Sequence, residues 1–251
     1  MRLLCRLSLR FISLLAGTAL IIGCASTPPV PTPAALPRPF PPISAESAWW
    51  YARFQMNWPE ETTPSWHMDL LIADLIIKPS LERHQQEIPL WRFHRRAGRD
   101  TAGHQFSFIF FAPPGVAQEI YAELSAHPVL QDARAAGQIL DLKCDDTEKV
   151  TKPAIEDTSD PKWPAPLQQA WPYYLMGASR MWLDLICRMV PGDPGVKALS
   201  TFEEIENRYS EVNASITALW QNEGRHAFLH HLNALFGYEP LVIIEKRNMR
   251  F

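Results

Sequence analysis

The sequence predicts an α+β fold, an antiparallel sheet with helices on one face, followed by a C-terminal helical part. Three observations carry that prediction. Residues 49–56 alternate, with Trp50, Ala52, Phe54 and Met56 on one parity and Trp49, Tyr51, Arg53 and Gln55 on the other, which is the period of a half-buried strand. Residues 104–112 are almost continuously aromatic, as a central strand covered on both faces would be. Between and after these runs, apolar residues recur at steps of three and four, the spacing of helices that bury one side.

Taken in order, the first strand gives way to a loop at Trp58-Pro59 and the Glu-Glu-Thr-Thr-Pro run. Thr63 is placed to cap a helix with Pro64 at its first position. Trp66, Leu70, Leu71, Leu75 and Ile76 follow at helical spacing, and Pro79 should end or kink that helix because it lacks an N–H. Strands are expected at Leu90–Arg96 and His104–Ala112. Pro113-Pro114-Gly115 opens a helix with Val116, Ile120 and Leu124 on one stripe, a short helix follows at Pro128–Ala136, and Gln138–Cys144 reads as another strand. The resulting order, β-α-β-β-α-β, is the split βαβ plan of ferredoxin-like sandwiches.

An acidic, proline-containing connection spans 147–164, and the rest is helical with a short final strand at Leu241–Ile244. Leu167–Met189 is an apolar helix with Pro172 inside it. Gln168, Arg180, Asp184 and Arg188 interrupt it, so it reads as a core helix rather than a membrane span. Ser200 and Thr201, each three residues before a glutamate, offer a capping box. Phe202, Ile205, Tyr209, Val212, Ile216 and Leu219 then form a narrow apolar seam, expected to lie along the preceding helix.

The N-terminal stretch carries a different message. Arg2, Arg6 and Arg10 precede an apolar run from Phe11 to Ile22, closed by Gly23 and Cys24. The run is too short for a bilayer span, for which about 20 apolar residues are needed, and it reads as a secretory signal peptide over residues 1–23. Ile21-Ile22-Gly23-Cys24 resembles the lipobox of bacterial lipoproteins, with Ile21 where that family usually has Leu. The resemblance implies a thioether-linked diacylglycerol on Cys24, loss of residues 1–23 and acylation of the new N-terminus, palmitate being typical. Ala25 stands where an inner-membrane lipoprotein commonly has Asp, which implies an outer-membrane address facing the periplasm. Residues 24–46 form the expected tether. With eight prolines between Ala25 and Ser44, it favours an extended polyproline spacer reaching roughly 60 Å at about 3.1 Å per residue.

Loss of residues 1–23 removes three arginines and leaves 21 basic against 27 acidic residues. A mildly acidic chain argues against a nucleic-acid partner. The folded part, a sheet domain over 47–146 with the helical part 165–251 packed on it, is large enough for a real core. Cys144 and Cys187 remain besides the anchor, and in an oxidising envelope they are the disulfide candidate.

Two polar clusters are candidate sites. Arg92, His94 and Arg96 sit at steps of two and so share one strand face. With His104, they are the candidate ligand-binding set for a carboxylate or phosphate. If the set is catalytic, His104 and His94 are the acid–base residues, because an ordinary histidine titrates near neutrality. Their plainer reading is a solvated face neutralised by the acidic stretch near Asp145 and Glu156. The run Trp91-Arg92-Phe93-His94-Arg95, Asp100, His104, Phe106 and Phe108 is also similar, within a stretch of about sixty residues, to the C-terminal domain of lantibiotic-dehydratase-like enzymes. That resemblance bears on strand order and brings no catalytic role.

The second cluster is His226, His230 and His231 with Glu223. His226 and His230 have the four-residue spacing of a metal pair, but Ala227 stands where a zincin has Glu. A helix end where histidine meets the carbonyl pole explains them as well, and no metal or cofactor is predicted. Trp49, Trp66, Trp91, Trp171, Trp182 and Trp220 fall in periodic segments and are expected in the core. No Gly-x-Ser-x-Gly elbow, phosphate-binding glycine loop or Cys-x-x-Cys pair occurs. The expectation is therefore a lipid-anchored envelope protein that binds or helps assemble another envelope protein. The alternative is an enzyme acting on an anionic substrate through Arg92, His94, Arg96 and His104.

Overall fold

A computed structural model describes residues 43–190 and 201–240. The signal, the lipobox and most of the tether lie outside the described residues, as does the expected strand at Leu241–Ile244. Strands β1 (Ala48–Met56), β2 (Leu90–Ala97), β3 (His104–Ala112) and β4 (Ile139–Cys144) form one sheet in the order β2-β3-β1-β4. Every neighbouring pair is antiparallel. This is the ferredoxin-like arrangement, with β3 inserted between β1 and β2.

Register assigns the two faces. Trp50, Ala52 and Phe54 of β1 lie opposite Phe110, Phe108 and Phe106 of β3, and Trp91, Phe93 and Arg95 of β2 lie opposite Phe110, Phe108 and Phe106. This is the core face. Trp50, Phe54, Phe106, Phe108 and Phe110 are all buried, each burial worth about 1.5–3 kcal/mol. Over it pack α1 (Trp66–Leu71), a π-helical turn at Ile72–Ile77, α2 (Lys78–Arg83), α3 (Pro114–Ala126) and α4 (Pro128–Ala135).

Two details of the first helical run bear on its expected ends. It begins at Trp66 with Ser65 as its N-cap, not at Thr63, because Trp66 N–H already bonds back to Pro64 O at 2.8 Å. At Pro79, where the sequence predicts an end or a kink, the run continues, Pro79 sitting in the first turn of α2 directly after the π turn. The wider π turn just before it accommodates a residue that has no N–H and whose ring would crowd the preceding carbonyls.

Helix α5 (Ala165–Met189) runs along β2, the outer strand. Edge strands present unpaired backbone groups, and here the Phe93 N–H donates to Ser179 Oγ at 3.0 Å while that hydroxyl donates to Leu175 O at 2.7 Å. Helix α5 touches both sides of the sheet. Trp182 packs on Phe93 and Phe106 of the core face, and Met176 packs on the smaller cluster of Trp49, Leu90, Ile109 and Phe111 on the opposite face. A 3-10 turn at Ile155–Thr158 adds Ile155 to that cluster. One end of the second face is thus covered, and the end holding Arg53, Gln55, His94 and Arg96 is left more open.

Helix α6 (Phe202–Gly224) starts with the expected box: Thr201 Oγ1 accepts from Glu204 N–H at 3.3 Å, and Thr201 N–H donates to Glu204 Oε2 at 2.8 Å. Its seam buries Tyr209, Val212 and Ile216. The seam lies chiefly on α1 rather than on the preceding helix α5, with Glu206 Oε1 3.1 Å from His67 Nε2. A second π-helical turn, Arg225–His230, leads into α7 (His231–Leu235). Trp220, expected in the core, is 54% exposed and stacks on Phe228.

The Ser179 contact is testable. Replacing Ser179 with Ala strands the Phe93 N–H against a helix, and urea unfolding should show a loss of about 1 kcal/mol or more. An unchanged midpoint would mean that water replaces the hydroxyl.

Candidate functional site

The face of the sheet away from α1–α4 is set by the same alternation that builds the core. Arg92, His94 and Arg96 pair with Ile109, Ser107 and Gln105 of β3 and project together on that side, beside Tyr51, Arg53 and Gln55 of β1. Two of the cations are neutralised at once. Arg53 Nη1 meets Asp145 Oδ1 at 2.8 Å, and Arg96 grips Asp100 through both terminal nitrogens at 3.1 and 2.6 Å. Arg92 differs. Its Nη2 donates to the Thr158 carbonyl at 3.3 Å, its Nε is buried with no partner, and no carboxylate pairs with it among the described residues. Lys152 adds another cation, its Nζ 4.0 Å from the Tyr51 ring centre, with Arg53 over the same ring at 4.4 Å.

His94 is exposed between Arg92 and Arg96. Its pKa lies below the ordinary histidine value, first because of partial burial and then because the two guanidinium groups oppose its proton. Burial also lowers Arg92. For Arg92 the cause is desolvation, opposed by its interaction with the Tyr51 hydroxyl; only the His94 shift also registers the two neighbouring guanidinium groups, whose charge an arriving anion would offset. Asp100 shows the reverse situation, its carboxyl held at about 2 by the Arg96 hydrogen bond.

His104 does not belong to this group. It pairs with Ala97 across the sheet and shares the parity of Phe106, Phe108 and Phe110, so its ring points into the core at 0% exposure. There its Nε2 lies 3.1 Å from Asp69 Oδ1, and because a carboxylate only accepts, Nε2 is the donor. Asp69 is also fully buried, and its Oδ2 accepts from Arg95 Nε at 2.7 Å. Arg95 Nη2 donates to the Trp66 carbonyl at 3.0 Å, and its guanidinium sits 5.0 Å from both the Trp66 and Trp182 rings. The four-residue candidate set is therefore split: Arg92, His94 and Arg96 share the open side, and His104 is a buried partner of Asp69 on the other.

Sequence reasoning overlooked Asp69 and Arg95. Their signal was present: an acid inside an apolar helix and an arginine on the aromatic parity of β2 both need partners once buried. A second such acid, Asp74 in the π turn, accepts from Tyr209 Oη at 2.5 Å and pairs with Lys78 Nζ at 3.3 Å. It ties α6 to the first helical run.

The disulfide expectation is corrected, since Cys144 and Cys187 are both free. Cys144 ends β4 at one edge of the sheet, and Cys187 lies on α5 at the other, its Sγ 3.5 Å from Asp74 Oδ1. His226, His230 and His231 do gather, with ring centres 5.2–5.3 Å apart. Among the described residues no group of three or more acidic, histidine or cysteine side chains has the geometry to hold a metal ion.

Compared with family models, curated proteins and solved structures, the chain matches none.

His94 reports on this site directly. In an NMR titration it should lose its proton below the ordinary value of about 6.5, and Arg92→Ala should move its pKa upward. The sign for stability follows from the lowered folded pKa. His94 contributes nothing above the unfolded pKa, and as pH falls through that value the unfolded chain takes a proton that the folded one resists, so stability drops. A His94 pKa that ignores Arg92→Ala would contradict the geometry.

Proposed function

We propose that the protein is a lipid-anchored binding module of the cell envelope, held to a membrane by acyl chains on Cys24. Its open sheet face recognises an anionic group on another envelope protein. One observation carries the reading: Arg92 keeps a guanidinium without a carboxylate partner among the described residues, while its neighbours Arg53 and Arg96 each have one. A half-buried arginine whose only partners among the described residues are neutral, the Thr158 carbonyl and the Tyr51 hydroxyl, is a seat for a carboxylate or phosphate. Exposed His94 and the nearby Lys152 broaden that seat.

Two features support a binding role over a catalytic one. Catalysis through Arg92, His94, Arg96 and His104 asks for four groups around one substrate, and His104 is on the far side of the sheet. The polar groups of the open face also stand on an extended strand surface, the form of a docking surface more than of a cleft that excludes water. The tether and lipobox supply the address. Among the described residues no helix is long and apolar enough to cross a membrane, and the anchor in this reading is the acyl group.

The test is crosslinking in intact cells with a photoreactive residue at position 94. A partner protein should be captured, and Arg92→Ala should cut the yield about tenfold while Arg188→Ala, on an exposed face of α5, leaves it unchanged. Cys24→Ser should shift the protein out of the membrane fraction. Capture insensitive to Arg92, or a Cys24→Ser form that still fractionates with membranes, would overturn the corresponding half of the proposal.

A further inference from the structure

The two outer strands of the sheet are treated differently. Helix α5 covers β2, whereas no described residue hydrogen-bonds the outer side of β4. The direction of its backbone groups can be worked out. Asp145 N–H donates to Tyr51 O at 3.2 Å, so odd-numbered residues at this end of β4 aim their N–H and C=O toward β1. Antiparallel strands alternate, and Leu142 and Cys144 therefore aim theirs outward, off the free side. Leu140, 59% exposed, is the extra residue where the β1–β4 register shifts.

We infer that this edge pairs with the same edge of a second copy of the chain, antiparallel about a two-fold axis at Leu142. The reason is charge. Asp141 and Lys143 flank Leu142 on the opposite side of the strand, 49% and 60% exposed, and make only a loose ion pair with each other at 4.0 Å. With Leu142 opposite its own copy, each Asp141 faces the partner's Lys143 in a non-hydrogen-bonded pair, where side chains approach closest.

The outward groups admit only registers that shift by whole pleats. One shift places Asp141 against Asp141, and the other places Lys143 against Lys143 and Asp141 against Asp145. Like charges directly opposite are unfavourable. Of these three registers only the one centred on Leu142 sets opposite charges against each other, exchanging the loose pairs within each chain for cross-strand ones, which fits both roles of charge on edge strands. In it the two Leu142 side chains meet on the helix-covered side, continuing each core. The dimer carries one sheet of eight strands and presents two copies of the Arg92 face.

Cysteine crosslinking of the full-length protein in its envelope tests this register. With Cys144→Ser, Leu142→Cys should form a disulfide-linked dimer under mild oxidation, because the opposed Cα atoms lie about 5.5 Å apart. Asp141→Lys should reduce the Leu142→Cys dimer at least tenfold, and adding Lys143→Asp should restore it. Far-UV circular dichroism should show the fold intact in each variant, including the half-buried Leu142→Cys. No dimer from Leu142→Cys, a dimer indifferent to Asp141→Lys, or a disulfide to a different protein would each overturn the pairing. So would masking of this edge by residues 241–251 of the same chain, seen as crosslinking of Leu142→Cys within one chain to a cysteine placed there.

Discussion

A fully buried carboxylate sets the arrangement. Asp69 sits in α1 at 0% exposure and takes Arg95 from β2 on one oxygen and His104 from β3 on the other. Breaking such a group by deleting one partner typically costs 3–5 kcal/mol, because an uncompensated charge is left in the interior. Its value lies less in net stabilisation than in uniqueness, since only one placement of α1 over the sheet satisfies both oxygens. Trp66 and Trp182 flank the Arg95 guanidinium, so α5 is tied to the same point.

That constraint reaches the opposite face through the pleat. Residues along a strand alternate sides, and Arg95 is held inward by Asp69. Arg92, His94 and Arg96 must then project outward. The two faces of the cationic run 92–96 are separated by a single residue step: Arg95 locks the helix layer, while Arg92 and His94 stand on the other face with no carboxylate partner among the described residues and Arg96 pairs with Asp100. A one-residue slip of β2 would exchange them, burying unpaired cations and exposing Phe93. Asp74, with Tyr209 and Lys78, repeats the device for α6, so the first helical run is tied to the sheet by one buried acid and to α6 by another.

Much of the fold was legible because its signals are local. Period-two alternation at Trp49–Met56 and the aromatic run of β3 gave the strands, and the stripe Val116, Ile120, Leu124 gave α3. The sheet order followed from their sequence. What was misread or left open needs tertiary information. Nothing near Thr63 shows that Trp66 N–H is already bonded to Pro64, and nothing near Pro79 shows a π turn making room for it. The cysteines at 144 and 187 could be paired on paper only because two sequence positions do not reveal opposite sheet edges. His104 is the instructive case. It was grouped with Arg92 and His94 by nearness in a hairpin, yet it shares the parity of Phe106 and Phe108, and counting by twos places it in the core. Asp69 went unnoticed because a lone acid in an apolar helix acquires meaning only when its partners, 26 and 35 residues away, are known.

The most direct measurement is a double-mutant cycle on Asp69→Ala and Arg95→Ala, read by urea unfolding. If the buried carboxylate organises the helix layer and the outward set of β2, the two losses should be strongly non-additive, with a coupling of about 2 kcal/mol or more. Losses that add to within about 0.5 kcal/mol would mean the pair contributes independently, and the account of how Arg92 and His94 come to face outward would fail.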